Sequence, residues 1–314
     1  MTAKKTSAPA SASKSTTVDI GAKAVLIHVC ISAWSARRYD RKASNEVLDQ
    51  NQAEDKDGAK LYKILVTDPN LDAYKTRTNA LRGFVYKNTL PWLDGGTRIL
   101  PTAKYFDFMA KYSEIMMQLT EDLDKFIASY TESRHKAKKR LGKLFDDSDY
   151  PEPASVRKTF DVNLTTFPVP SAGDWRVEGA ERPSYLEGMT KAAETENWRR
   201  IVTLMHRMRK VLGNEDSPMR DSMFEAVGEL CDELPKLNIT DNTEINDMLD
   251  KIKKELGGLD GKSLKKDPKA RKKVAEKAES FHKKASSFFK ALNPNGNADD
   301  EPESATAKSE GKKG

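Results

Sequence analysis

From Thr102 to about Leu141 the chain contains neither proline nor glycine, and apolar residues recur three or four apart at Phe106, Met109, Tyr112, Met116, Leu119, Leu123, Phe126, Tyr130, Ala137 and Leu141. The spacing predicts one long helix, with Thr102 as its N-cap and Gly142 as its stop. At 1.5 Å per residue it would reach about 60 Å, beyond the width of a small domain, so it must project or pair with another helix. A second strong period, about Thr190 to Leu212, puts Trp198, Ile201, Val202, Met205, Met208 and Leu212 on one side. Arg199, Arg200, Arg207, Arg209 and Lys210 fall in its polar arc, and this helix is expected to lie antiparallel to the first. Shorter helices are predicted at about 72–86, 217–234, 241–256 and 265–291, divided by Pro235 and by Gly257-Gly258.

Period-two patterning is confined to short stretches. Ala24 to Ile31 is rich in β-branched residues and reads as a buried strand, Arg98 to Pro101 is a short apolar run, and Phe160 to Pro168 alternates. Pro168 to Arg176 continues the last of these as a loop or a further strand. Two turns, Pro91 to Gly96 and Pro170 to Trp175, combine turn formers with a tryptophan and suit either a packed corner or a ligand-facing loop. The fold class expected is mainly α (α+β): a long antiparallel helical hairpin or bundle with a small β element. Residues 1–18 and 293–314 have no period and read as disordered tails. Between them the pattern suggests a core domain at 19–215 and a C-terminal helical region at 216–292.

Composition sharpens this picture. Among 314 residues, 37% are hydrophobic and 32% charged, so much of the chain must be solvated helix face. The net charge is +6, yet Lys262 to Lys290 holds eleven Lys or Arg against Asp267, Glu276 and Glu279, a local +8. The rest is therefore slightly acidic. Such a segment either binds a polyanion such as nucleic acid or simply keeps a helix soluble. The two cysteines, Cys30 and Cys231, stand apart without ligand-type neighbours, which fits a reducing compartment. The run Ala22 to Ala36 is broken by Lys23 and His28 and is too short to span a bilayer, and no apolar segment precedes residue 20. A cytoplasmic protein that does not associate with membrane is expected.

Motif-defined chemistry is missing. His28, His135, His206 and His282 are scattered without partners at ligand spacing, so no metal is expected. Gly95-Gly96 and Gly257-Gly258 lack the third glycine and the Lys-Ser or Lys-Thr of a phosphate cradle, no Gly-x-Ser-x-Gly elbow occurs, and neither cysteine carries an activation signature. No cofactor and no enzymatic activity is expected, although a site assembled by the fold from scattered residues stays open.

Interaction chemistry is better represented. Arg37, Arg38, Arg41 and Lys42 interleave with Trp34 and Tyr39, a pattern in which cations can track phosphates and rings can stack on bases. Arg199, Arg200 and Arg207 form a second cationic group, Lys265, Lys266, Arg271, Lys272 and Lys273 a third, and Lys136, Lys138, Lys139, Arg140 and Lys143 a further one. The alternative is that lysines merely flank helices and that Trp34 is core.

Trp34-Ser-Ala-Arg-Arg38, Leu90 to Gly96 with Leu100-Pro101, Arg140 to Asp146 with Asp149-Tyr-Pro151, and Pro168 to Arg176 together resemble a family of uncharacterised proteins of phages, plasmids and integrative elements, classed as a domain of unknown function. The resemblance covers roughly 20–215. It implies a mobile-element setting in a bacterial host, near genes of DNA metabolism or a ring-forming ATPase, and it carries no activity or residue roles. The function expected is a non-enzymatic accessory that binds nucleic acid, single-stranded DNA above all, during replication or recombination. The alternative is an adaptor or assembly factor that docks a protein partner, or a second copy through a coiled-coil seam, by its long helices.

Overall fold

A four-stranded antiparallel sheet separates two apolar cores in the computed structural model, which describes residues 20–55, 57–92, 96–170, 182–214 and 217–296, the side chains of 182–186 excepted. In chain order the elements are α1 (Ile20–Lys23), β1 (Ala24–Ser32), β2 (Arg37–Tyr39), α2 (Arg41–Gln50), β3 (Tyr62–Ile64), α3 (Pro69–Asn88), β4 (Leu90–Pro91), β5 (Thr97–Pro101), α4 (Tyr105–Leu141), α5 (Pro153–Lys158), β6 (Asp161–Pro168), α6 (Arg182–Gly213), α7 (Asp221–Leu237), α8 (Thr243–Leu256), α9 (Gly261–Lys266) and α10 (Pro268–Leu292). The fold is mainly α with a small β element, as the periodicities imply. Residues 1–19 and 297–314 lie outside the described residues, as do Leu93–Gly95 and residues 171–181 of the two tryptophan turns.

The sheet order is β4-β5-β1-β6. Alternation along β1 serves both faces, which is why its sequence is a continuous apolar run: Ala24 and Leu26 enter one core, while Val25, Ile27 and Val29 enter the other. Against the second face pack α3, α4 and α5, and against the first the helices α6 to α10. The long helix α4 has 37 residues, about 55 Å, and turns its buried stripe of Phe108, Tyr112, Ile115, Leu119, Phe126, Tyr130 and Ala137 to the second core. Phe106, expected in that stripe, is 82% exposed, because the buried row runs through Phe108 and Ile115 on the neighbouring side. Thr102 does not cap α4. It starts a single 3-10 turn, Thr102–Lys104, ahead of it. Gly142 does end the helix, with φ of 52°.

Two expectations of organisation need correction. The partner of α4 is α3, while α6 runs with α10. The reason is that all six apolar positions predicted on α6 (Trp198, Ile201, Val202, Met205, Met208, Leu212) belong to the first core. There Trp198 stacks on Phe288 with ring centroids 4.4 Å apart. Nor is residue 215 a boundary between cores, since one cluster takes in Ile20, Leu26 and Trp92 together with Val227, Ile252 and Phe289. Pro235 sits inside the end of α7, with Leu237 and Asn238 beyond it, and the predicted helix at 265–291 is interrupted at Asp267-Pro268. The residue before a proline is driven out of the helical region, and here Asp267 is extended and caps α10.

Asp68 joins α3 to α4. Its carboxylate accepts from the Asn70 amide (2.8 Å), from Ser129 Oγ (2.7 Å) and from Ser133 Oγ (2.6 Å), and the residue is 2% exposed. Burial alone raises its pKa, but the hydrogen bonds from Ser133, Ser129 and the backbone outweigh it and hold the carboxyl below its ordinary value. A depressed folded pKa gives stability that is present above the unfolded value of about 3.9 and is lost as pH falls through the folded one. Asp68→Asn is expected to cost about 1–3 kcal/mol at neutral pH, and less at acid pH. Urea melts at pH 7 and pH 3 check this, and a difference that does not shrink on acidification contradicts it.

Candidate functional site

The two-stranded ribbon β2–β3 pairs Arg37 with Ile64, Arg38 with Lys63 and Tyr39 with Tyr62. Successive residues of a strand point to opposite sides, so Arg37, Tyr39, Tyr62 and Ile64 share one face and Arg38 and Lys63 the other. The Lys63 side chain, 8% exposed, lies 3.4 Å from Asp40 and 2.5 Å from Asp149, and Arg38 Nε is 3.5 Å from Asp149. Burial pulls the Lys63 ammonium down, but the two carboxylates outweigh it and set its pKa above the ordinary lysine value. Asp40 also caps α2 by accepting from the Ala43 amide at 3.0 Å. Further ties fasten the ribbon: Leu65 N–H donates to Ala36 O (2.8 Å), Tyr150 Oη to Leu65 O (3.0 Å) and Arg140 Nη2 to Ile64 O (2.5 Å).

With its inner face pinned, the ribbon presents its outer face to solvent. Tyr39 is 40% exposed, Tyr62 55% and Ile64 48%, and the two tyrosine rings stand 5.6 Å apart at 54°. Exposed Arg37 shares this face, and exposed Arg41 and Lys42 follow at the start of α2. Tyr62 and Ile64 did not stand out in the sequence. Their alternation with Lys63 just after the Asp-rich stretch ending at Gly58 is the one local signal for them.

Other expected site residues fall elsewhere. Trp34 is half-buried, with its ring 5.7 Å from that of Tyr130 and 6.4 Å from that of Phe126, so it belongs to the packing of α4 and not to the tyrosine face. Arg199 and Arg200 are bound to Glu196 at 2.8 and 3.0 Å. Arg200 also donates to Lys87 O (2.9 Å), Tyr86 O (2.8 Å) and Thr89 O (2.7 Å), closing the C-terminus of α3. Arg271 does the same for α6, donating to Leu212 O (2.9 Å) and Val211 O (3.0 Å) and to Asn214 O. Both arginines are fasteners between elements. Arg207 is exposed on α6, and Lys265, Lys266, Lys272 and Lys273 are exposed on α9 and α10. The opposite side of α10 buries Val274, Ala278, Phe281, Ala285 and Phe289, so the basic segment is the solvated side of a core helix. Lys138, Lys139, Arg140 and Lys143 are exposed near the C-terminal end of α4, and Lys136 is paired with Glu132 at 2.7 Å.

The remaining chemistry is sparse. Burial pushes the Cys231 thiol up to about 11, so it is not a poised nucleophile, and Cys30 is exposed. Nδ1 of His28 lies 3.3 Å from Thr97 Oγ1 across the β1–β5 pair. Among the described residues no three His, Cys, Asp or Glu are grouped to hold a metal ion, and no helix is long and apolar enough to cross a membrane. No family model, curated protein or solved structure matches the chain.

Proposed function

We propose that the protein is a non-enzymatic accessory that binds single-stranded nucleic acid, with the outer face of the β2–β3 ribbon as its stacking platform. The observation that carries this is the exposed Tyr39–Tyr62 pair on a pinned scaffold, with Arg37 on the same face. Unpaired bases stack on aromatic rings at about 1–3 kcal/mol per base, while neighbouring cations follow the phosphates. Arg41, Lys42 and the exposed lysines of α9 and α10 add sequence-independent attraction. A setting in the DNA metabolism of a phage or other mobile element, inside a bacterial cell, belongs to this proposal. The adaptor reading rests on what α4 leaves outside, chiefly Phe106 and Met117, because its main apolar stripe is already covered.

The test is fluorescence anisotropy of labelled oligothymidylate and of a duplex of equal length over a salt series. Single strands are expected to bind more tightly, with affinity falling steeply as salt rises. The double variant Tyr39→Ala, Tyr62→Ala is expected to weaken single-strand binding by about tenfold or more, with the salt slope unchanged. Reversing Lys265, Lys266, Lys272 and Lys273 to glutamate should flatten the slope instead and leave the core of α10 intact. No binding at low salt rejects the function, and undiminished binding by the tyrosine variant rejects the platform.

A further inference from the structure

The helices α3, α6 and α7 border an open cleft of about 490 Å³. That volume falls within the range of about 300–1,000 Å³ in which small-molecule sites lie. One wall is apolar, formed by Leu204, Ala226, Leu230, Leu234 and Leu237. The other is polar and follows a single row of α6, since Arg199, Thr203 and Arg207 are spaced four apart.

Charge in the cleft is unbalanced once the ion pairs are assigned. Glu196 is held by Arg199 and Arg200, Glu229 by Lys87 at 2.5 Å, and Glu233 by Lys104 and by Lys236. Lys104 and Lys236 set the Glu233 pKa at about 2. Every carboxylate in the lining is therefore committed. Arg207 has no ion pair or hydrogen bond among the described residues, and one turn away the buried Thr203 Oγ1 also lacks a partner. An unengaged cation thus stands beside an apolar wall, over a buried hydroxyl that has no partner.

Gly83 gives an independent indication. It lies inside α3, where glycine is unfavourable relative to alanine, and it lines the cleft. A Cβ built there would meet nothing within 4 Å, so no close packing requires the glycine. A side chain at this position has room to enter the cleft.

We propose that this cleft binds a small amphipathic anion, with its oxyanion head on Arg207 and its apolar chain along Leu204, Leu230 and Leu234. The site is separate from the tyrosine face and stands or falls independently of the nucleic-acid reading.

The test is isothermal titration of the full chain with decanoate and decyl phosphate, each below its micellar concentration, with decyltrimethylammonium as a control of opposite charge. The expected result is one anion per chain, with the cation at least about tenfold weaker. Arg207→Gln should weaken the anion about tenfold. Gly83→Leu, which adds a helix-favouring side chain into the open space, should abolish binding while circular dichroism stays unchanged. Failure of both anions to bind, equal binding of the cation, or undiminished binding by Arg207→Gln or by a folded Gly83→Leu protein overturns the proposal.

Discussion

Arg200→Met is expected to destabilise the protein by about 3 kcal/mol, read as a lowered urea midpoint with an unchanged slope. The substitution keeps the aliphatic stem and removes the fork that donates to the carbonyls of Tyr86, Lys87 and Thr89 and to Glu196. Glu196 retains Arg199, so the main cost lies in the orphaned end of α3. Arg98 donates to Thr89 O at 3.2 Å, with its guanidinium 4.2 Å from the centre of the Tyr86 ring, and burial draws its pKa down to about 10. It holds one of the three carbonyls, which keeps the expected loss below that of a fully uncompensated end. Arg200→Lys should recover only part of the loss, because an ammonium cannot span three acceptors in a plane. A change within about 0.5 kcal/mol for the methionine variant would place Arg200 among ordinary surface residues.

Lys63→Met is expected to cost about 3–5 kcal/mol, since it leaves the nearly buried Asp40 carboxylate without its cation and Asp149 with Arg38 alone. The sign of its pH dependence follows from Asp40. The Ala43 amide, outweighing burial, and Lys63 hold the Asp40 pKa below its ordinary value, so wild-type stability from this group is present above about pH 4 and lost below it. Without the lysine Asp40 loses one cause of that lowering, so the gap between variant and wild type should narrow as pH falls. Paired urea melts at pH 7 and pH 4 measure this, and a gap constant with pH would mean that the carboxylates are solvated. Loosening the ribbon should also weaken oligothymidylate binding, although Lys63 itself is turned away from the tyrosine face.

The long-range periods were readable in the sequence because each long helix buries one continuous stripe: the apolar set at Trp198 to Leu212 lies wholly in a core, and β1 and β6 lie where alternation and β-branching put them. What those stripes pack against was not readable. Ridge spacing on α4 fits α3 and α6 alike, and the choice depends on the sheet placed between them. Cations were the least legible. Arg199, Arg200 and Arg207 are alike in sequence, yet the first two are committed to Glu196, Arg200 also to carbonyls brought in from α3, and the third is unengaged among the described residues. Tyr39 was visible as part of an aromatic-basic run. Its partner Tyr62 lies 23 positions on, and beyond the short alternation around Lys63 nothing in the sequence ties the two strands together.

The division of the molecule into two cores also orders its assembly in time. Every described residue of the core around α3 and α4 lies between Val25 and Leu164, so that half can close once β6 has been synthesised. The opposite face of the same sheet, with Leu26, Trp92 and Ile99, waits for α6, which packs beside β4 and ends at Gly213, about 45 residues later. At about 5–20 residues per second a growing chain carries that uncovered apolar face for about 2–9 seconds. During that interval the half-built protein is a natural client for a chaperone that shields exposed sheet.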